Sequence, residues 1–168
     1  LAALGLALWG SGAAVAGGRW DRAALVEAAR RAALAVFVLL SLAFALLTWA
    51  FLAFDFSVRY VAHNTNLGTP FYYRITGVWG ALEGSIVLWA WMLAGYTVLV
   101  GRRARERARE LYPWALAVLL AVLAFFLLVM TVAAPPFRRL DPPPADGRGL
   151  NPLLEDTGMI THPVALYL

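Results

Sequence analysis

"AALAVFVLLSLAFALLTWAFLAF", residues Ala32–Phe54, carries no charged side chain. A helix needs roughly 20 apolar residues to cross the hydrocarbon of a bilayer, and this run is long enough. Outward from it lie three more charge-free runs, Leu1–Gly18, Gly84–Gly101 and Leu111–Phe137. They predict membrane helices near 1–16, 32–54, 79–100 and 113–134. The first run has no basic stretch ahead of it and no evident cleavage site, so it is read as a span rather than a secretory leader.

Composition agrees. Of 168 residues, 62% are hydrophobic and 14% are charged, against roughly 25% charged in soluble domains. The absence of cysteine excludes disulfides, thiolate metal sites and a thiol nucleophile. The fold class expected is an all-α integral membrane protein. It is a polytopic bundle of about four transmembrane helices over 1–134, with an outer aromatic loop at 55–78. Residues 135–168 form a Pro-rich outer loop, a short helix and the start of a fifth span.

All fourteen basic residues are arginines, and they orient the bundle. Nine of them fall in 17–31 and 101–112, and five in 55–78 and 135–168. Short loops rich in arginine stay in the cytoplasm. Loops 17–31 and 101–112 are therefore expected inside, and 55–78 and 135–162 outside, which in a bacterium is the periplasm. The run "GRRARERARE", 101–110, is read as this topology anchor and not as a nucleic-acid patch.

The outer segments are not ordinary polar loops. "FDFSVRYVAHNTNLGTPFYYRITGVWG" (54–80) is aromatic, and Tyr60, Tyr72, Tyr73 and Trp79 suit the membrane interface. Alternation in "FSVRYVA" suggests an extended piece or an interfacial helix. His63, beside Asn64, Thr65 and Asn66, reads as a hydrogen-bonded loop histidine. The third helix opens with "WGALEGS", 79–85. Gly80 and Gly84 form a small-xxx-small pair that would admit a neighbouring helix. Glu83 between them gains from the helix N-terminus and must face protein or water. It either pairs with a neighbour such as Arg74 or lines an outward cavity.

"PPFRRLDPPPADGRG" (135–149) cannot form a regular helix and should lie extended over the bundle. "LNPLLEDTG" (150–158) reads as a short helix, with Asn151 as N-cap, Pro152 at the first position and Gly158 as the stop. "THPVALYL" (161–168) repeats the start signal with Thr161 or His162 as cap and Pro163 next. The positive end of a helix disfavours imidazolium. A neutral His162 would keep the lone pair a metal needs, although a cap is the plainer role for a single histidine.

Two stretches resemble the CcmF family of cytochrome c maturation proteins. "FDFSVRYVAHNTNLGTPFYYRITGVWGALEGSIVLWAW" (54–91) is similar to the family's outer loop entering a W-G-x-x-E-G-S helix start. "LNPLLEDTGMITHPVALYL" (150–168) is similar to its pattern L-N-P-L-L-Q-D-x-G-x-x-x-H-P-P-x-L-Y. The resemblance implies a membrane haem lyase. Such proteins take haem b from a periplasmic haem chaperone and attach it to the Cys-x-x-Cys-His thiols of apocytochrome c. A thiol-reducing chaperone serves the same pathway. It also implies that His162 is one of two outer axial ligands to the haem iron. Asn151, Asp156, Pro163, Trp79 and Glu83 are candidates for supporting that site or an outer cavity. In the family the second outer ligand, the tryptophan-rich loop and the ligands of a structural haem b lie downstream. This chain therefore reads as an N-terminal part, truncated or split, inactive without the remainder.

Three positions depart from the family pattern: Leu82 replaces a usual His, Glu155 a usual Gln and Val164 a usual Pro. Two other classes stay open. One is a transporter or channel subunit using Glu83, although helices two and four offer little polarity beyond Ser41, Thr48 and Thr131. The other is a non-catalytic assembly subunit in the membrane.

Overall fold

Where water is absent, a backbone can satisfy its own polar groups only as helix or closed barrel, and this chain takes the helical solution. The computed structural model describes residues 1–107, 109–155, Gly158 and Ala165. The elements are α1 (Ala2–Arg19), α2 (Ala23–Leu52), α3 (Arg59–Asn64), α4 (Phe71–Thr76), α5 (Leu82–Arg107) and α6 (Tyr112–Val132). Single 3-10 turns lie at Gly77–Trp79 and Pro152–Leu154. Among the described residues the one β-type pairing is an isolated bridge between Val58 and Arg139.

Among the described residues, three stretches are long and apolar enough to cross a membrane: α2, residues Leu82–Gly101 of α5, and α6. The protein is a polytopic helical membrane protein. α1 is not among those three. Gly5, Gly10, Gly12, Gly17 and Gly18 dilute its apolar run, and Arg19 closes it.

Helix ends depart from the charge-free runs. α2 begins at Ala23 instead of residue 32, so the expected loop 17–31 shrinks to the turn after α1. The cause is local pairing. Glu27 accepts from Arg30 at 2.9 and 2.7 Å and from Arg31 at 3.2 Å. These i,i+3 and i,i+4 contacts carry the helix through its charges. α5 starts at Leu82, not 79, and runs to Arg107, so most of the expected loop 101–112 is helical. Arginine is a good helix former.

The chain forms two compact units, Leu1–Leu42 with Ala90–Thr131, and Ala43–Trp89 with Val132–Leu168. In the first, small residues bring helices together. A Cβ on Gly10 would lie 3.1 Å from Ala32 Cβ and 3.1 Å from Leu120 Cδ1. Ala7, Ala14, Ala29, Val36, Leu120 and Leu123 fill the core. Ser11 Oγ donates to the Ala117 carbonyl at 2.9 Å. Trp91 stacks on Phe37, with centroids 6.3 Å apart, and its Nε1–H donates to Ser41 Oγ at 2.9 Å. Each such hydrogen bond between membrane helices contributes about 0.6 kcal/mol. Trp91 is thus a packing residue.

The second unit is built around Phe51, Leu47, Val61, Val78 and Val87, all fully buried. α2 ends in a left-handed residue, Phe54 at φ +53°, and the Asp55 N–H returns to the Ala50 carbonyl at 3.0 Å. Asp55 Oδ1 then accepts from the Ser57 N–H at 3.2 Å and from its hydroxyl at 2.5 Å, which turns the chain into α3.

Candidate functional site

Outside the long helices, the sequence singles out two segments, and the second unit joins them. The Pro-rich stretch is pinned to the α3 region by main-chain bonds. The Arg59 N–H donates to the Arg138 carbonyl at 2.8 Å, and the Leu140 N–H to the Ser57 carbonyl at 2.8 Å. Further along, the Arg148 N–H donates to the Ala62 carbonyl at 2.8 Å and the Gly149 N–H to the Thr65 carbonyl at 3.3 Å. Asp146 Oδ1 accepts from the Leu67 N–H at 2.9 Å. The stretch is extended, as its prolines require, and forms a strap.

The strap delivers Leu150–Glu155 to the turn before α5. A Cβ on Gly80 would meet Leu154 Cδ1 at 3.3 Å and Leu150 Cδ1 at 3.4 Å. The Tyr73 hydroxyl donates to the Glu155 carbonyl. Two motifs some seventy positions apart, "FYYRITGVWG" and "LNPLLE", therefore share one surface.

That turn is organised by a residue the sequence left as a belt aromatic. Tyr60 is buried, and its ring packs edge-on against Phe51 at 5.4 Å. Its hydroxyl donates to the Val78 carbonyl at 3.1 Å and accepts from the Ala81 N–H at 3.2 Å. Burial holds the phenol well above its ordinary pKa, so it stays a neutral donor and acceptor. Gly84 makes room for this arrangement. A Cβ there would fall 1.6 Å from the Val78 carbonyl oxygen and 2.6 Å from the Tyr60 hydroxyl. The Gly80/Gly84 pair thus serves a tight turn and not, as expected, a second helix, because the chain itself fills the space.

Glu83 is half-buried in the first turn of α5. Its charge reaches both Tyr60 and His63. The expected pairing with Arg74 is not formed. Arg74 Nε donates to the Thr69 carbonyl at 3.1 Å, and its guanidinium lies 4.4 Å over Phe54. The aromatic ring and the carbonyl together hold that cation away from the carboxylate. Trp79 closes the 3-10 turn, and its carbonyl accepts from Ser85 Oγ at 2.8 Å.

His63 lies in the last turn of α3, not in a loop, and no hydrogen bond to its ring is seen among the described residues. Burial lowers its pKa first, and the nearby charges of Arg148 and Arg59 lower it further. The imidazole is therefore neutral at neutral pH, with two cations in its field.

Asn151 is exposed beside the second 3-10 turn, and its carbonyl accepts from the Leu154 N–H at 2.8 Å. Among the described residues of the expected helix over 150–158, Pro152–Leu154 form a 3-10 turn, and Gly158 is itself helical and not a stop. His162, Asp156 and Pro163 lie outside the described residues. Among the described residues no group of three His, Cys, Asp or Glu could hold a metal ion.

The family model for cytochrome C assembly protein matches residues 79–168, more than half of the chain. A cytochrome c-type biogenesis protein CcmF of Pseudomonas aeruginosa is 48% identical over 141 residues, 83% of this chain and 22% of its own length. The CcmF of Escherichia coli is 38% identical over 167 residues, 99% of this chain and 26% of its own. A solved structure titled cytochrome c heme lyase CcmF superposes with a TM-score of 0.84 at 32% identity, covering 98% of this chain and 26% of that one. The chain spans about a quarter of the length of the relatives it matches.

Proposed function

The chain belongs to the cytochrome C assembly protein family, and from that premise we propose that it forms the N-terminal part of a membrane haem lyase. In this reading the whole protein receives haem b at the outer, periplasmic face of the bacterial inner membrane. It helps attach that haem to the Cys-x-x-Cys-His thiols of apocytochrome c. The partners are a periplasmic haem chaperone, the apocytochrome, its thiol-reducing chaperone and the rest of the protein. A second, structural haem b would be held by that remainder. Segments 17–31 and 101–112 would face the cytoplasm, and 55–78 and 135–162 the periplasm.

One observation supports this reading above the others. The strap and the α4–α5 turn together hold Leu150–Glu155, which precedes His162 by seven positions in the sequence. In the proposal His162 supplies one axial imidazole to the iron of the delivered haem. Arg59 and Arg148 are the described cations suited to the porphyrin carboxylates. Asn151, Asp156, Pro163, Trp79 and Glu83 support the segment or the outer cavity. The haem and the apocytochrome thiols supply the reactivity, and this chain contributes binding and orientation.

The test is a reduced-minus-oxidised absorption spectrum of the full-length protein before and after His162→Ala. Loss of a bis-imidazole signal, or of haem accepted from the chaperone, is the expected result. An unchanged spectrum with unchanged cytochrome maturation removes His162 from the iron.

A further inference from the structure

Within the first unit, the turns that follow α1 and precede α6 enclose a cavity of about 760 Å³. Charged groups in its wall are Asp21, Glu27, Arg30, Arg109 and Glu110. Arg30 is already held by both carboxylate oxygens of Glu27, at 2.9 and 2.7 Å. That leaves Asp21, Arg109 and Glu110. All three are exposed at the mouth, and none is in an ion pair among the described residues. Two free carboxylates and one free guanidinium call for a ligand with both a cation and an anion.

The backbone sharpens the placement. Ala23 and Pro113, at the starts of α2 and α6, both line the cavity. Helix starts carry the positive end of the peptide dipoles and favour a phosphate. Trp20 and Trp114, exposed by 63% and 43%, stand at this same end of the helices. Tryptophan is enriched in membrane proteins at the depth of the lipid headgroups, and the pair at this end argues for a lipid as the occupant.

We infer that this cavity binds the headgroup of a zwitterionic phospholipid bearing a primary amine. The phosphate lies on Arg109 and the two helix starts, and the ammonium on the carboxylates of Asp21 and Glu110. A phosphoglycerol headgroup offers no cation to those carboxylates. A choline headgroup offers a cation that cannot donate hydrogen bonds.

The experiment uses the purified protein in detergent, stripped of lipid and then titrated with phosphatidylethanolamine, phosphatidylcholine or phosphatidylglycerol. Retained lipid is counted by native mass spectrometry, and the unfolding temperature is followed in parallel. Phosphatidylethanolamine is expected to be retained about fivefold over the other two, as two exposed charge contacts allow. The double variant Asp21→Asn/Glu110→Gln should abolish that preference. Asp21 sits at φ +50°, a conformation asparagine also tolerates, so this variant keeps the turn. Arg109→Ala should weaken retention of all three lipids. Equal retention of the three by the unaltered protein overturns the inference, as does an unaltered preference in the double variant. Soluble phosphoethanolamine or inorganic phosphate that stabilises the protein as well as the lipid does overturns the assignment to a lipid.

Discussion

Gly147 lies so close under Thr65 that a Cβ on it would stand 1.9 Å from the Thr65 carbonyl oxygen. The obstacle is main chain, which cannot rotate aside. Gly147→Ala should therefore push the strap off α3 and destabilise the second unit by about 1–3 kcal/mol. Limited proteolysis of the strap in the purified variant checks this, since a freed strap is cut and a docked one is not. Ala145→Gly, two residues away and exposed, is the control that should remain resistant.

Tyr60→Phe removes the hydroxyl that accepts from the Ala81 N–H and donates to the Val78 carbonyl. Leaving those buried groups unpaired costs about 1–3 kcal/mol. A lower unfolding temperature with an unchanged far-ultraviolet spectrum is the expected signature. Gly84→Ala should be worse, because its Cβ would collide with the Val78 carbonyl itself. A Gly84→Ala protein as stable as the parent would show that this turn is not packed as described.

His63 sets a pH dependence of known sign. Its folded pKa lies below the unfolded value, through burial and then Arg148 and Arg59. The unfolded chain therefore binds the proton first as pH falls. Stability from this group is full above about pH 6.5 and declines below it, until the folded imidazole also protonates. Thermal unfolding of the parent and of His63→Gln between pH 7.5 and 5, a range bracketing the usual histidine value, should show the steeper loss in the parent. Parallel curves would mean that His63 is not held neutral.

Trp91 and Ser41 offer a measurable contact inside the first unit. A double-mutant cycle with Trp91→Phe and Ser41→Ala should return a coupling of about 0.6 kcal/mol. A coupling indistinguishable from zero would mean that the indole N–H has another partner of equal worth.

The sequence made some of this legible and hid the rest for physical reasons. The charge-free runs lie over α2, α5 and α6, because hydrocarbon tolerates apolar helix and little else. α2 begins and α5 ends beyond those runs, because charge does not stop these helices. Glu27 neutralises Arg30 and Arg31, and α5 continues through its arginines. The tight turn at Gly84 left a glycine pair that looks the same as a helix-packing pair. Tyr60 gave no signal, since its partners are backbone carbonyls and an N–H that no side-chain pattern records. The prolines of 135–149 announced an extended strap but not where it docks, because its contacts are almost all main chain. Of the site, the meeting of the two motifs was not readable from spacing. Trp79 lies in the turn at that meeting and Glu83 in the first turn of α5, whereas the position of His162 is outside the described residues.

The strap also sets a schedule. Leu67 and its partner Asp146 are 79 positions apart, with α5 and α6 lying between them. Two spanning helices must be synthesised before the strap emerges, which at ordinary translation rates takes on the order of 4–16 s. Through that interval the carbonyls of Ser57, Ala62 and Thr65 have no strap to accept from. A nascent chain paused between residues 67 and 146 holds an unfinished outer unit, open to any chaperone or protease that waits for one.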